Sequence, residues 1–245
     1  MSRDDSPVED RRTVLLLWDV DHTLIDGGGV SKQTFDLAFR LLTGLDAERP
    51  AYTGGRTDAA VMAGMLADNG VDPAGFSWAQ QRAALIEALA RTADALRDRG
   101  RALPGAEACL RRLAVEPGVL QSVLTGNVEE NARVKLGTFG LDRWLDFSIG
   151  GFSTERHARW TLVPLAQGRA AQLRGFDPRR GITVLVGDTP SDVEAGRLGG
   201  ATVIGVGTGE HTPEELREAG ADAVLPGLTD PGRLLATLSA LRRTR

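Results

Sequence analysis

The sequence predicts a doubly wound α/β fold, a parallel sheet flanked by helices, with an all-helical subdomain inserted near its start. Three observations carry this. Short runs rich in Val, Leu and Ile recur at residues 13–20, 119–124, 146–149, 182–187, 201–206 and 223–225. Continuous apolar runs of that length suit strands buried on both faces of a parallel sheet. Amphipathic stretches alternate with them, at 129–137, 162–173, 191–198 and 231–241, as repeated βα units require. Between Val20 and Val119, however, no convincing strand occurs.

Taken in order, residues 1–12 (MSRDDSPVEDRR) are polar and charged. They read as a frayed tail, without the apolar stretch of a signal peptide. The first strand, at 13–20, runs into DVDHTL (19–24), two carboxylates two positions apart. GGG at 27–29 serves a hinge, or a loop that needs positive φ. Helical patterns follow at 32–42, 58–69, 78–97 and 105–114. The clearest, 78–97, sets Leu85, Leu89, Ala93 and Leu96 at three- and four-residue steps. The last of the four serves as the crossover to the second strand, and the others are too many for one crossover. The expected organisation is a core of 13–26 and 101–245, with a helical cap at 27–100 hinged at the glycines and near DRGRALPG (98–105). TGGRTD (53–58) starts a cap helix with Thr57 or Asp58 as N-cap. Thr212 and Glu215 form a capping box further on.

Length and charge narrow the function. The 245 residues fit one large domain, or a core with an inserted subdomain. Charged residues make up 25% and the formal net charge is −4, with no basic footprint for nucleic acid. No apolar run reaches membrane-spanning length. Cys109 is the single cysteine, so no internal disulfide forms and a reducing cytoplasm suits the chain. Its apolar helical surroundings mark it as a core residue. Lys32 and Lys135 are the only lysines, so arginine must supply most cations.

In an open α/β sheet, ligands bind beyond the carboxyl ends of the strands. Asp19 and Asp21 stand there after the first strand, and Thr125, Gly126 and Asn127 after the second. Asp188 and Asp192, in GDTPSD (187–192), follow the run at 182–187. Four carboxylates in one crevice repel, more so when desolvated. They need a cation, and oxygen-only ligation favours a hard ion, Mg²⁺ best. Such an ion pairs with a phosphate ester. A carboxylate can attack phosphorus to give an aspartyl-phosphate. A second acid can protonate the leaving oxygen and then deprotonate water. The Thr125 hydroxyl and the N–H groups of Gly126 and Asn127 suit phosphate oxygens. The plainer alternative is a set of separate strand-end acids, with Asp188 an N-cap.

DVDHTL, LTGN and GDTPSD, in that order and at these strand ends, resemble the motifs of the haloacid dehalogenase superfamily. The resemblance is to its phosphatase branch with a helical cap after the first motif, the phosphoglycolate phosphatase-like group, and it covers nearly the whole chain after the tail. It implies that Asp19 is the nucleophile and a Mg²⁺ ligand. Asp21 is then the general acid and base, with its backbone carbonyl at the metal. Thr125 binds the phosphoryl group and Asn127 supports that loop. Asp188 ligates the metal and Asp192 completes its shell. Dehalogenase members lack the second aspartate, so Asp21 points to phosphoryl chemistry.

The family also carries a basic residue, usually lysine, between its second and fourth motifs. No lysine follows Lys135, which is expected to be solvent-exposed on the helix after LTGN. Arg159, opening a helix within residues 153–171, is the favoured substitute, with Arg156 second; the guanidinium fork suits phosphate. Related phosphatases carry Gly-Arg-Thr-Asp facing the site from the cap, so Arg56 either meets a substrate anion or stays exposed. His22 stands where relatives mostly carry glycine. It is either a pH-sensitive neighbour of the acids or, the favoured reading, matters through its backbone and packs its ring against the cap linker. His157 is placed to line the pocket and His211 leads into a helix; neither is expected to bind metal. The implied activity is a Mg²⁺-dependent phosphatase for a small phosphorylated metabolite, cytoplasmic, monomeric or homodimeric. A phosphotransferase or phosphomutase, and a non-catalytic binding module, are the alternatives.

Overall fold

The computed structural model describes residues 12–155 and 158–243. Residues 1–11 of the expected tail, and both Arg156 and His157, lie outside the described residues. In chain order the elements begin with β1 (Val14–Trp18), β2 (Ile25–Asp26), α1 (Val30–Thr43), α2 (Asp58–Asp68), α3 (Trp78–Arg99) and β3 (Arg101–Ala102). They continue with α4 (Ala106–Ala114), β4 (Val119–Val123), α5 (Glu129–Thr138), α6 (Leu162–Arg174) and β5 (Ile182–Gly187). The last are α7 (Pro190–Gly199), β6 (Thr202–Val206), α8 (Pro213–Glu218), β7 (Ala223–Leu225) and α9 (Pro231–Arg243).

The run VLLLW forms β1, and all five residues are buried because both faces of the sheet are covered. Leu15 and Leu17 join one apolar layer with Leu162, Val163 and Ala166 of α6. Val14, Leu16 and Trp18 join the other, with Leu110 of α4 and Leu234 of α9. Five parallel strands are ordered β4-β1-β5-β6-β7. Trp18 at the end of β1 is opposite both Val123 and Val186. The chain therefore goes to one side of β1 for β4 and to the other for β5. That reversal creates the crevice in which this class of sheet binds ligands.

Helices α1, α2 and α3 bury a separate apolar cluster, including Phe35, Phe39, Met62, Met65 and Leu85. The two chain passages between that cluster and the core lie side by side, since β2 and β3 pair antiparallel through Ile25 and Ala102. Gly28 sits in this passage with φ 57°, and a Cβ there would lie 2.6 Å from the Arg99 carbonyl oxygen. Only glycine combines that backbone with that close approach.

Residues 146–149, expected as a strand, form a 3₁₀ turn at Phe147–Ile149 instead. The Asp146 carboxylate caps it by accepting from the Ser148 N–H (3.1 Å) and hydroxyl (2.6 Å). The segment lies along the sheet edge, where the Asp146 N–H donates to the Gln121 carbonyl (2.9 Å) and the Asp146 carbonyl accepts from the Ser122 hydroxyl (2.6 Å), and just beyond it Gly151 forms an isolated bridge with Leu124. Cys109 is buried in α4 with its thiol on the Leu228 carbonyl, and burial pushes its pKa up to about 12. Among the described residues no helix is long and apolar enough to cross a membrane.

Candidate active site

The strand register brings the acids together. Asp19 follows β1 and its N–H donates to the Val186 carbonyl of β5, 2.9 Å away. Asp188 follows β5, and its carboxylate accepts from the Thr23 hydroxyl at 2.8 Å. Thr189, not Asp188, caps α7, in a capping box with Asp192. Oxygens of Asp19, Asp188 and Asp192 lie within 4.8 Å of one another, and all three residues are buried. Arg159, in the turn Arg159–Thr161, donates to Asp19 (2.5 Å) and Asp192 (2.6 Å) through one nitrogen. One guanidinium does not balance three carboxylates. Burial, with repulsion from Asp192 and Asp21, raises Asp19 to about 7 against the pull of Arg159. Burial and the charges of Asp192 and Asp19 raise Asp188 to about 8. The donor set is all oxygen and short of positive charge, which fits a hard divalent cation.

Asp21 has a different environment. Its carboxylate accepts from Lys135 Nζ with both oxygens at 2.8 Å, and from Asn127 Nδ2 at 2.7 Å. Lys135 also donates to Asn127 Oδ1 (2.7 Å) and to the Ser31 hydroxyl (3.1 Å). The expectation of an exposed Lys135 is thus wrong: the residue is only 4% exposed, on the inward face of α5. Burial works to raise Asp21, but Lys135 and the Asn127 bond outweigh it and hold the acid below the ordinary carboxylate range.

The loop after β4 is built mostly from backbone. Thr125 N–H donates to the Gly151 carbonyl, and Thr125 Oγ1 accepts from the Asn127 N–H (3.2 Å) and Nδ2 (2.7 Å). The Thr125 hydroxyl hydrogen is left to donate elsewhere. The Gly126 N–H has no partner among the described residues. A cavity of about 400 Å³ opens over these groups, lined also by residues 51–56, Asp58, Phe35 and Ser31. Arg56 borders it, but its guanidinium donates to the Ala60 carbonyl (3.0 Å) and lies over Gly64, along α2.

A family model of haloacid dehalogenase-like hydrolases matches residues 16–197. The chain belongs to this family. Among solved structures, the haloacid dehalogenase-like chain is similar to a predicted phosphatase from Clostridium acetobutylicum, with TM-score 0.63 and 16% identity over 92% of this chain and 99% of that one. It is similar to a hydrolase from Pseudomonas syringae, with TM-score 0.63 and 21% identity over 94% and 99% of the two chains. A predicted phosphoglycolate phosphatase from Haemophilus somnus gives TM-score 0.61 and 16% identity over 94% and 100%. These are likenesses of fold. A search of curated protein sequences finds no match.

Within this haloacid dehalogenase-like frame, His22 departs in part from its favoured reading. Its backbone matters, as that reading also had it, since φ is 60°; its side chain is exposed at the cavity rim instead of buried under the chain that follows. The left-handed turn explains why glycine is usual there. Two residues escaped the sequence reading. Lys135 gave only a helical position, without its partners. Asp58 was read as a possible cap, a role that Thr57 fills by accepting from the Ala60 N–H. Asp58 is instead buried against the loop after β4, where burial raises its pKa to about 7.

Proposed function

We propose that this hydrolase is a Mg²⁺-dependent phosphatase of small phosphate monoesters, working through an aspartyl-phosphate, with residues 27–100 as its cap. One observation carries the reading: a buried, cation-deficient triad (Asp19, Asp188, Asp192) lies beside a separately held acid, Asp21, and Asp19, Asp21 and Asp188 line one cavity. Asp19, Asp188 and Asp192, with the Asp21 backbone carbonyl, would hold Mg²⁺. When bound, the ion supplies positive charge to the phosphoryl oxygens.

Asp19 forms the new bond to phosphorus as the ester P–O bond breaks. Asp21 passes a proton to the leaving oxygen. Lys135 keeps Asp21 ionised beforehand, so an ester bound as its monoanion brings that proton; phosphate monoesters have a second pKa of about 6. Asp21 then takes a proton from water as the water oxygen attacks phosphorus. Asp21 gives that proton to the departing inorganic phosphate, and both Asp19 and Asp21 are restored as carboxylates. The Thr125 hydroxyl and the Gly126 N–H donate to phosphoryl oxygens throughout. Arg159 steadies Asp19 while its charge changes, and the cap excludes bulk water.

Phosphate release from a panel of esters, with and without Mg²⁺, tests this. Asp19→Asn is expected to lower kcat by at least about 1,000-fold. Equal release by wild type and this variant on every ester would refute the reading.

A further inference from the structure

The first turn of α2 is joined to the loop after β4 by bonds outside the catalytic set. The Asp58 N–H donates to the Gly126 carbonyl at 2.7 Å, and the Asp58 carboxylate accepts from the Val128 N–H at 2.8 Å. One cap residue thus holds both ends of the Gly126–Asn127–Val128 segment. The Ala59 N–H adds a bond to Ser153 Oγ (3.2 Å), and the Ser153 N–H donates to the Asn127 carbonyl (2.9 Å). The Val128 side chain is fully buried in the apolar cluster of the cap helices. Gly126 has no room for a side chain, since a Cβ would lie 2.2 Å from the Arg56 carbonyl oxygen.

The backbone inventory of the loop is nearly complete. The Gly126 and Asn127 carbonyls and the Thr125, Asn127 and Val128 N–H groups all have partners. Among the amide donors of residues 125–128 only the Gly126 N–H has no partner within the described residues, and Gly126 lines the cavity. A cavity-lining N–H that no protein group accepts is free to donate to water or to an acceptor on a bound ligand.

We propose that Asp58 is a positioning residue for phosphate binding. It holds residues 126–128 in the shape that presents the Gly126 N–H and the Thr125 hydroxyl to phosphoryl oxygens. The phosphate subsite is therefore complete only with α2 docked, and the cap is part of the binding site as well as its cover. This inference rests on the phosphatase reading.

The test is the affinity of the full chain for inorganic phosphate with Mg²⁺ present, by calorimetry, alongside KM and kcat on an aryl phosphate. Asp58→Ala removes the acceptor for the Val128 N–H; Asp58→Asn keeps an oxygen there. Asp58→Ala is expected to weaken phosphate binding and raise KM about tenfold, the scale of one buried hydrogen bond, with kcat within about threefold. That split marks lost uniform binding. Asp58→Asn is expected to stay within about twofold of wild type. A merely structural role would lower the active fraction, and so kcat, with phosphate affinity of the folded protein unchanged; that result overturns the proposal. Ser153→Ala, which removes only the Ala59 contact, supplies a milder variant should Asp58→Ala fold poorly. It is expected to weaken phosphate binding about threefold, and unchanged binding there overturns the proposal too. Wild type that neither binds phosphate nor hydrolyses any ester overturns the phosphatase reading itself, whereas wild type that does both while Asp58→Ala binds equally well overturns only the role of Asp58.

Discussion

The two sides of the site are built from the same residue type and behave in opposite ways. On one side Asp19, Asp188 and Asp192 share Arg159; on the other Asp21 has Lys135 almost to itself. Both sets are sheltered from water, so burial acts on both in the same direction. The ratio of cations to acids decides the outcome. One cation for three acids leaves Asp19 and Asp188 raised to about 7 and 8, whereas Asp21, with both oxygens on Lys135, is held low; Asp58, which feels the Lys135 charge without bonding it, is raised to about 7. The first side is short of positive charge. On the second, the charge of Asp21 is directly matched by Lys135.

Removing the cation from the matched side has the largest expected effect. Lys135→Met leaves Asp21 without its cation and Asn127 Oδ1 without its donor, so kcat is expected to fall about 100-fold or more. Stability should fall by about 3 kcal/mol, as when one partner of a buried pair is deleted. Urea unfolding and steady-state kinetics read the two. Calorimetric Mg²⁺ affinity should stay within about twofold, since Lys135 bonds none of the triad. A large change in Mg²⁺ affinity would show that the two sides are not separable.

Arg159→Met strips the charge-deficient side and should split the readouts the other way. Its guanidinium occupies oxygens of Asp19 and Asp192 that the ion would use. Mg²⁺ binding is therefore expected to tighten by about tenfold while kcat falls. Weaker Mg²⁺ binding in this variant would mean that Arg159 organises the triad more than it competes for it.

A pH effect of middle size follows from Asp19 and Asp188. Their folded pKa values stand above the ordinary 3.8. Between about pH 4 and pH 8 the folded state thus binds more protons than the unfolded one, and stability falls as pH rises. Asp21 acts in the opposite sense, but below 3.8 and so outside this window. The metal-free protein is expected to melt at lower temperature at pH 8 than at pH 5. Millimolar Mg²⁺ should flatten that slope, because it replaces the missing charge. An unchanged slope with Mg²⁺ would count against a metal on this side. The smallest effect is at the rim: His22→Gly relieves a left-handed backbone at φ 60° and should raise stability by no more than about 1 kcal/mol, with kcat unaltered.

Much of this arrangement is written locally. An apolar run ending in acids, at 13–21 and 182–192, announces a buried strand and a crevice-facing end, because burial and side-chain type act over a few residues. The capping box of Thr212 and Glu215 was readable for the same reason. The segment 146–149 was not, because apolar content alone does not separate a strand from a turn. Its Asp146 cap to Ser148 tips the balance toward the turn.

The partners of the acids belong to another scale. Lys135 meets Asp21 across 114 positions, Arg159 meets Asp19 across 140, and Asp58 meets Val128 across 70. Which carboxylates would cluster was set by short motifs at strand ends. Which cation each would receive, and that a cap residue would grip the loop after β4, was set by how α5, the Arg159 turn and α2 pack around the sheet. A charge's partner depends on distances in space, and no local periodicity carries those.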